Sequence, residues 1–429
     1  MEYAHIGKRL TAAGSRGKAY LSLLFTRGEW IHRKVESIEF LPDGSTNNSI
    51  SYDFSATRTL SDFSTSSKTG IPLALLRKHT LLNLNVKDSA GRSLSVWDTE
   101  STGNLGVEVL QSAIGGYIGR LLEIDETEAV RRVVFSRNFQ NIDAELRFLE
   151  NLLTSVSPRN ETIVNILLAL VIDFAENYIF VVDIPNEHLG GRQIVKISYD
   201  QALRGKVTLE SIWYSRLVFR ILRRGLMQPS KSSHLEVYAP EGVQILSLTH
   251  SILNASTGEW KSNKSSESTG HIAHIQINES QFSEVQLFDL RMNPAGGGLI
   301  FQTFIGVTIG YMYLIFLNLD IKNIFSLTEK ASEAGPLATI SLALPAFLLT
   351  QISRSREHSN VQLILRKPRL IASISSGLLF LSASSLVLGL SNIFFLRISE
   401  GLLLVQVVVW ILAWLHVVDS MKWFKGSRI

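Results

Sequence analysis

The sequence predicts an α+β soluble domain over residues 1–295 followed by a four-helix transmembrane bundle over residues 296–429 that ends in a short basic tail. Two observations carry this division. Charged residues are spread through the first part, whereas the segments 299–319, 336–352, 370–396 and 401–418 contain no Asp, Glu, Lys or Arg. A bilayer core about 30 Å thick requires roughly 20 apolar residues in a helix. Within the first part the apolar period changes from two to about 3.6 and back, which predicts strand-rich segments over 1–102 and 177–295 flanking a helical insertion over 103–176.

In chain order, β-branched and aromatic alternation predicts strands over Lys18 to Phe25, Val35 to Leu41 and Ser49 to Phe54, and the run Pro72 to Lys78 predicts one short helical turn. Strands over Leu81 to Val86 and Ser93 to Trp97 flank the turn residues Asp88, Ser89, Ala90 and Gly91. Ile142, Leu146, Leu149 and Leu153 recur at helical spacing, and Glu161 to Phe174 predicts an apolar helix running into a strand over Tyr178 to Ile184. Further strands are predicted over Gln193 to Tyr199, His234 to Tyr238, Val243 to Thr249, His271 to Ile277 and Glu284 to Leu290, with an exposed polar loop over 254–270.

Short-loop lysines and arginines set membrane orientation. Arg354, Arg356, Arg366, Lys367 and Arg369 lie between the second and third predicted spans, and Lys422, Lys425 and Arg428 in the tail, against Lys322, Lys330 and Arg397 on the other side. Together with the absence of an apolar signal-peptide core near the N-terminus, this predicts a multi-pass cell-membrane protein with its N-terminal domain and C-terminal tail cytoplasmic. No acid or base falls inside a predicted span, which weighs against proton relays. Gly306 and Gly310, Ser373 and Gly377, and Ser385 and Gly389 repeat a small-xxx-small spacing that marks close helix crossings, within the chain or between copies of a homo-oligomer.

The most distinctive feature of the first part is Trp213 to Met227. On a helix Arg216, Arg220, Arg223 and Arg224 share one face and Tyr214, Leu217, Val218 and Ile221 the other, a basic amphipathic pattern suited to a membrane surface or a partner, or to a solvated face of a core helix. His271 and His274 form an HxxH, but residues three apart on a strand point to opposite faces, so this pair does not build a metal site. Gly115, Gly116 and Gly119 match no phosphate-binding loop and read as close helix packing. The absence of cysteine excludes disulfides, thiolate ligands and thiol nucleophiles, and a net charge of +4 is too mild to indicate nucleic-acid binding. No catalytic constellation is recognisable, so catalytic residues, metal ligands and cofactors are all expected to be none.

Residues 71–78 (IPLALLRK), 87–94 (KDSAGRSL), 234–242 (HLEVYAPEG) and Arg356-Glu-His358 resemble a family of uncharacterised bacterial multi-pass membrane proteins with a large N-terminal soluble domain. The resemblance implies an architecture and no activity. Strand-rich sequence running directly into four spans is also similar to pentameric ligand-gated channels, whose N-terminal domain lies outside, against the charge count. The expected function is therefore a membrane-anchored domain that binds a protein or small-molecule partner without catalysis. The alternative is an oligomeric channel or transporter gated by the soluble domain, with Thr339, Ser341 and Thr350 lining the pore.

Overall fold

The computed structural model describes residues 16–55, 67–78, 81–136, 142–156, 161–202, 206–209, 217–224, 230–253, 259–265, 267–268, 270–278, 285–294, 299–319, 343, 345–346, 350, 359–387 and 392–426. The fold is α+β and strand-rich. In chain order the elements are helices α1 (Arg16–Phe25) and α2 (Arg27–Trp30), and strands β1 (Ile31–Phe40), β2 (Ser45–Ser55), β3 (Lys68–Arg77) and β4 (Leu82–Asp88). Helices α3 (Thr99–Ile118), α4 (Ile124–Phe135), α5 (Asp143–Val156) and α6 (Glu161–Glu176) follow, then β5 (Asn177–Pro185), β6 (Arg192–Ala202), β7 (Lys206–Leu209), β8 (Leu217–Arg224) and β9 (Ser232–Tyr238). The chain continues through β10 (Val243–Leu253), β11 (Trp260–Ser265), β12 (Glu267–Ser268), β13 (Ile272–Asn278) and β14 (Val285–Pro294) to helices α7 (Leu299–Leu319), α8 (Ser359–Val387) and α9 (Asn392–Gly426).

Among the described residues the strands form a seven-stranded sheet in the order β12-β13-β9-β1-β2-β6-β4, a five-stranded sheet in the order β11-β10-β14-β8-β7, and the pair β3-β5. At the centre β1 is antiparallel to β2 and parallel to β9. The inward positions of β1 divide the interior. Ile31 joins a core built with α1, α3 to α6, β2, β3, β5 and β6, whereas Ile38 and Phe40 join a second core made with β8, β9, β10, β13 and β14. Between them on the same face lie Lys34 and Glu36, both buried, with Nζ 3.2 Å from the carboxylate and 6.0 Å from the centre of the Tyr52 ring.

Local chemistry explains the helix ends. Asp98 caps α3 by accepting from the Ser101 backbone N–H at 2.7 Å, and Gly119 ends it at φ +74°, a left-handed conformation that suits glycine. A capping box of Glu123 and Glu126 opens α4, and Arg120 grips Glu126 through two hydrogen bonds of 2.7 and 2.6 Å. The predicted strand over Lys18 to Phe25 is instead helix α1, because Gly17, Leu21 and Leu24 recur at helical spacing and are buried. A Cβ at Gly17 would lie 2.3 Å from the Glu108 carbonyl oxygen, so glycine allows α1 to approach α3 this closely. The predicted turn over Pro72 to Lys78 falls on strand β3, which pairs with β5 through a bulge between Pro72 and Ala74 that accommodates the missing proline N–H. The predicted polar loop over 254–270 contains β11 and β12, whose register is supplied by β10 and β13.

The four-helix transmembrane bundle is corrected by the structure. Among the described residues a single helical stretch, Arg397–Val418, is long and apolar enough to cross a membrane, and Ile300–Phe316 is a shorter apolar helix. Multi-pass membrane localisation, with the orientation read from the loop charges, is therefore not supported. Apolar run length counted segments without the contacts that helices make. The helix α8 begins at Ser359, inside the stretch read as a basic loop, so Arg366, Lys367 and Arg369 are helical, and its Leu365 is buried in the second strand core. Most of the second predicted span, with Thr339 and Ser341, lies outside the described residues, as do Arg354 and Arg356.

Helices α7, α8 and α9 pack around Val307, Ile371, Val409 and Ala413. Polar side chains tie this cluster together: the buried Gln406 amide donates to the Val307 carbonyl at 3.2 Å and to Ser375 Oγ at 2.8 Å, Trp410 Nε1 donates to Thr308 Oγ1 at 3.0 Å, and Ser399 Oγ donates to Asn318 Oδ1 at 2.9 Å. The outward positions are apolar, with Leu319 83%, Leu370 59% and Leu404 70% exposed.

The buried Lys34 and Glu36 generate a prediction. Glu36→Ala, which leaves the ammonium without its partner, is expected to cost about 3 kcal/mol or more in denaturant unfolding, whereas Lys34→Met with Glu36→Met is expected to be close to neutral. Equal losses in both variants would contradict the assignment.

Candidate functional site

One concavity among the described residues is an open cleft of about 450 Å³ lined by Arg16, Val96, Trp97, Asp98, Ser101 and Asn104. It lies where the chain leaves β4, crosses beside β5 and enters α3. The crossing is fixed by backbone bonds: Asp183 donates to the Ser95 carbonyl at 3.0 Å, Trp97 donates to the Val181 carbonyl at 3.1 Å, and Val96 bridges Val182. The Trp97 indole N–H donates to Asp183 Oδ1 at 2.7 Å, and its ring lies 6.4 Å from that of Tyr20, whose hydroxyl donates to the Gly70 carbonyl at 2.7 Å. A Cβ at Gly70 would fall 2.4 Å from the indole, so glycine makes room for the ring.

Charge in the cleft is nearly balanced. Arg16 binds Glu108 through two hydrogen bonds of 2.8 and 2.5 Å, which push its pKa further up and commit much of its positive charge. Hydrogen bonds from Ser101, backbone first, and from the Glu100 backbone hold the Asp98 carboxyl below the ordinary carboxylate range. The result is an aromatic wall beside hydrogen-bonding groups with no surplus of positive charge. This favours a small neutral polar ligand with one flat or apolar face over a phosphate or other anion.

The sequence-derived candidates separate. Residues 217–224 form strand β8, not a helix, and pair with β14 through Arg220 opposite Asp289, Arg223 opposite Gln286 and Arg224 opposite Val285. Strand positions alternate between faces, so 220 and 223 do not share one, and Arg216 lies outside the described residues. β14 on one side and β7 on the other override the local helical spacing. Gly306 is buried in α7, and Gly310 sits at a helix crossing where a Cβ would meet Leu379 at 2.8 Å and Gln406 at 3.4 Å. Ser373 is exposed, and a Cβ at Gly377 would meet nothing within 4 Å. Gly389 lies outside the described residues and the Ser385 side chain is likewise not described.

Two further contacts were missed in the sequence. Lys78, its pKa pushed down to about 8 by burial, donates to the Val134 carbonyl at 2.5 Å and so caps the end of α4. His274 meets His234, forty residues away in sequence, across strands β13 and β9. The signal was invisible without the strand pairing. Among the described residues no group of three or more His, Cys, Asp or Glu is placed to hold a metal ion. Comparison of the chain with known protein families, with curated proteins and with solved structures found no match.

Two predictions concern this region. Gly70→Ala is expected to cost about 1–3 kcal/mol by forcing the indole aside, with partial rescue by Trp97→Phe in a double-mutant cycle; additive losses would contradict the contact. Burial pushes the Tyr20 and Tyr178 phenols up to about 12, against about 10 in an unfolded chain. The unfolded chain therefore loses these protons first, so stability present below pH 10 is lost as pH rises toward 12. Melting at pH 9 and pH 11 is expected to show the drop, and Tyr20→Phe to reduce it.

Proposed function

We propose that this chain is a membrane-anchored binding protein, held at a lipid bilayer by the helix containing Arg397–Val418 and presenting the Trp97 cleft to a small neutral polar ligand. The observation that carries the anchor is the direction of the apolar side chains. A core helix of comparable composition is mostly buried, whereas an 18-residue window of this 22-residue stretch is 22% buried. Leu404, Val405, Val408, Ile411, Trp414 and Leu415 are all exposed, at 43–70%. A contiguous apolar surface of this kind signals a membrane or protein contact, and the stretch has the length of a bilayer-crossing helix. Gln406, buried in this stretch, bonds to α7 and α8, so the anchoring helix is fixed to the rest of the chain.

Binding, not catalysis, is the activity assigned to the cleft. Arg16 and Asp98 are each engaged in holding α1 and α3, and the remaining lining groups are suited to donating and accepting hydrogen bonds beside an indole face.

Alkaline carbonate extraction of membranes carrying the full chain tests the anchor. The protein is expected to stay in the pellet, and Leu404→Arg with Val408→Arg, at about 3 kcal/mol per charge in a bilayer, is expected to release it with unchanged circular dichroism. Release of the unmodified chain would overturn the anchor. Titration calorimetry with glucose and with inorganic phosphate tests the cleft: binding of glucose that Asn104→Ala weakens is expected, and binding of phosphate alone would overturn the ligand class.

A further inference from the structure

We propose that His234 and His274 form a two-imidazole chelate for a divalent late first-row metal ion, Cu²⁺ or Ni²⁺, on the outward face of the seven-stranded sheet. In the antiparallel pairing of β9 with β13, His274 lies opposite Glu236 and Gln276 opposite His234, so positions 234 and 274 are diagonal neighbours. The intervening Leu235, Val237, Ala273 and Ile275 are buried in the second core, which leaves both imidazoles on the opposite, half-buried face.

The ligand type selects the class of metal. His234 Nδ1 and His274 Nε2 are 2.9 Å apart, with the rings inclined by 24°. Two nitrogens bound at about 2.05 Å lie about 2.9 Å apart at adjacent corners of a square or octahedron, and about 3.3 Å apart in a tetrahedron. Imidazole pairs hold the late first-row divalent ions most tightly at Cu²⁺ and next at Ni²⁺, and the two nitrogens are close enough to reach neighbouring corners of one coordination sphere.

The surroundings support the required tautomer. Ser232 Oγ lies 3.0 Å from His234 Nε2 and accepts a hydrogen bond from the Gln276 side-chain amide at 3.4 Å. With the His234 proton on Nε2 and directed to Ser232, the Nδ1 lone pair faces the metal; with the His274 proton on Nδ1, its Nε2 does the same. Each neutral ring keeps one proton, so the site needs tautomeric change and no net proton loss. A hydroxyl on the distal nitrogen is the kind of partner that orients a metal-binding imidazole. Glu236 accepts from the Tyr238 hydroxyl at 3.1 Å and from Ser37 Oγ at 3.4 Å, so it is assigned as nearby negative charge, not as a ligand. Water completes the coordination.

The test is Cu²⁺ titration of the purified full chain, after chelator treatment, followed by electron paramagnetic resonance. One Cu²⁺ per chain with hyperfine coupling to two nitrogens is expected. His234→Gln and His274→Gln are each expected to weaken binding at least tenfold and to remove that coupling, and Ser232→Ala to weaken it about tenfold. The exposed neighbour serves as control, and His271→Gln is expected to change nothing. Equal Cu²⁺ binding by the original chain and a His234→Gln, His274→Gln double variant would overturn the proposal, as would loss of the signal in His271→Gln. Should the glutamine variants melt early, diethylpyrocarbonate modification of the unsubstituted chain answers the same question. Cu²⁺ is expected to protect His234 and His274, and unprotected modification would overturn the site.

Discussion

Strand β1 is the constraint on which the remaining structure depends. Its ten residues contribute Ile31 to one apolar core and Ile38 and Phe40 to the other, with Lys34 and Glu36 buried between them. The same strand pairs antiparallel with β2 and parallel with β9. Parallel neighbours require a long crossover, and here the intervening chain runs through the whole helical segment before returning at β9. A residue slip in β1 would turn both apolar sets and the buried ions outward together, so its register is specified from both sides.

This arrangement positions the features to which function is assigned. The helix-covered core holds α1 against α3 and threads residues 95–97 beside β5, which places Arg16, Trp97 and Asp98 around one cleft. The second core, built mainly from strands, aligns β9 with β13 and brings His234 to His274. Leu365 of α8 is buried in that second core, so the C-terminal helices are seated on the strands they follow. The outward apolar surface of α9 is thus carried on a packed cluster and not on an isolated tail.

Much of the element order is legible in the sequence, and the failures share a cause. The strands over Ser49 to Phe54 and Gln193 to Tyr199 and the helix over Glu161 to Phe174 carry strong periodicity and are found. Where tertiary pairing competes with local spacing, pairing prevails: β14 and β7 make a strand of residues 217–224 despite arginines at helical intervals, and β5 makes a strand of the leucine-rich run after Ile71. Conversely, Tyr20 and Phe25 suggested a strand where burial of Gly17, Leu21 and Leu24 against α3 makes a helix. Apolar length alone suggests four spans, whereas among the described residues a single helical stretch has the length and hydropathy to cross a membrane. The cleft and the histidine pair depend on contacts between residues separated by 40 positions or more, such as Arg16 with Glu108 and His234 with His274, for which one sequence holds no signal.

Native-state hydrogen exchange of the full chain measures the claim about β1 most directly, since amides that open only in global unfolding share one free energy. The account predicts that β1, β2 and β9 exchange slowest and that the buried strands of both cores approach the same limiting free energy. Exchange of β8, β10 and β14 through a separate, much lower-energy opening, while β1, β2 and β6 stay protected, would contradict it.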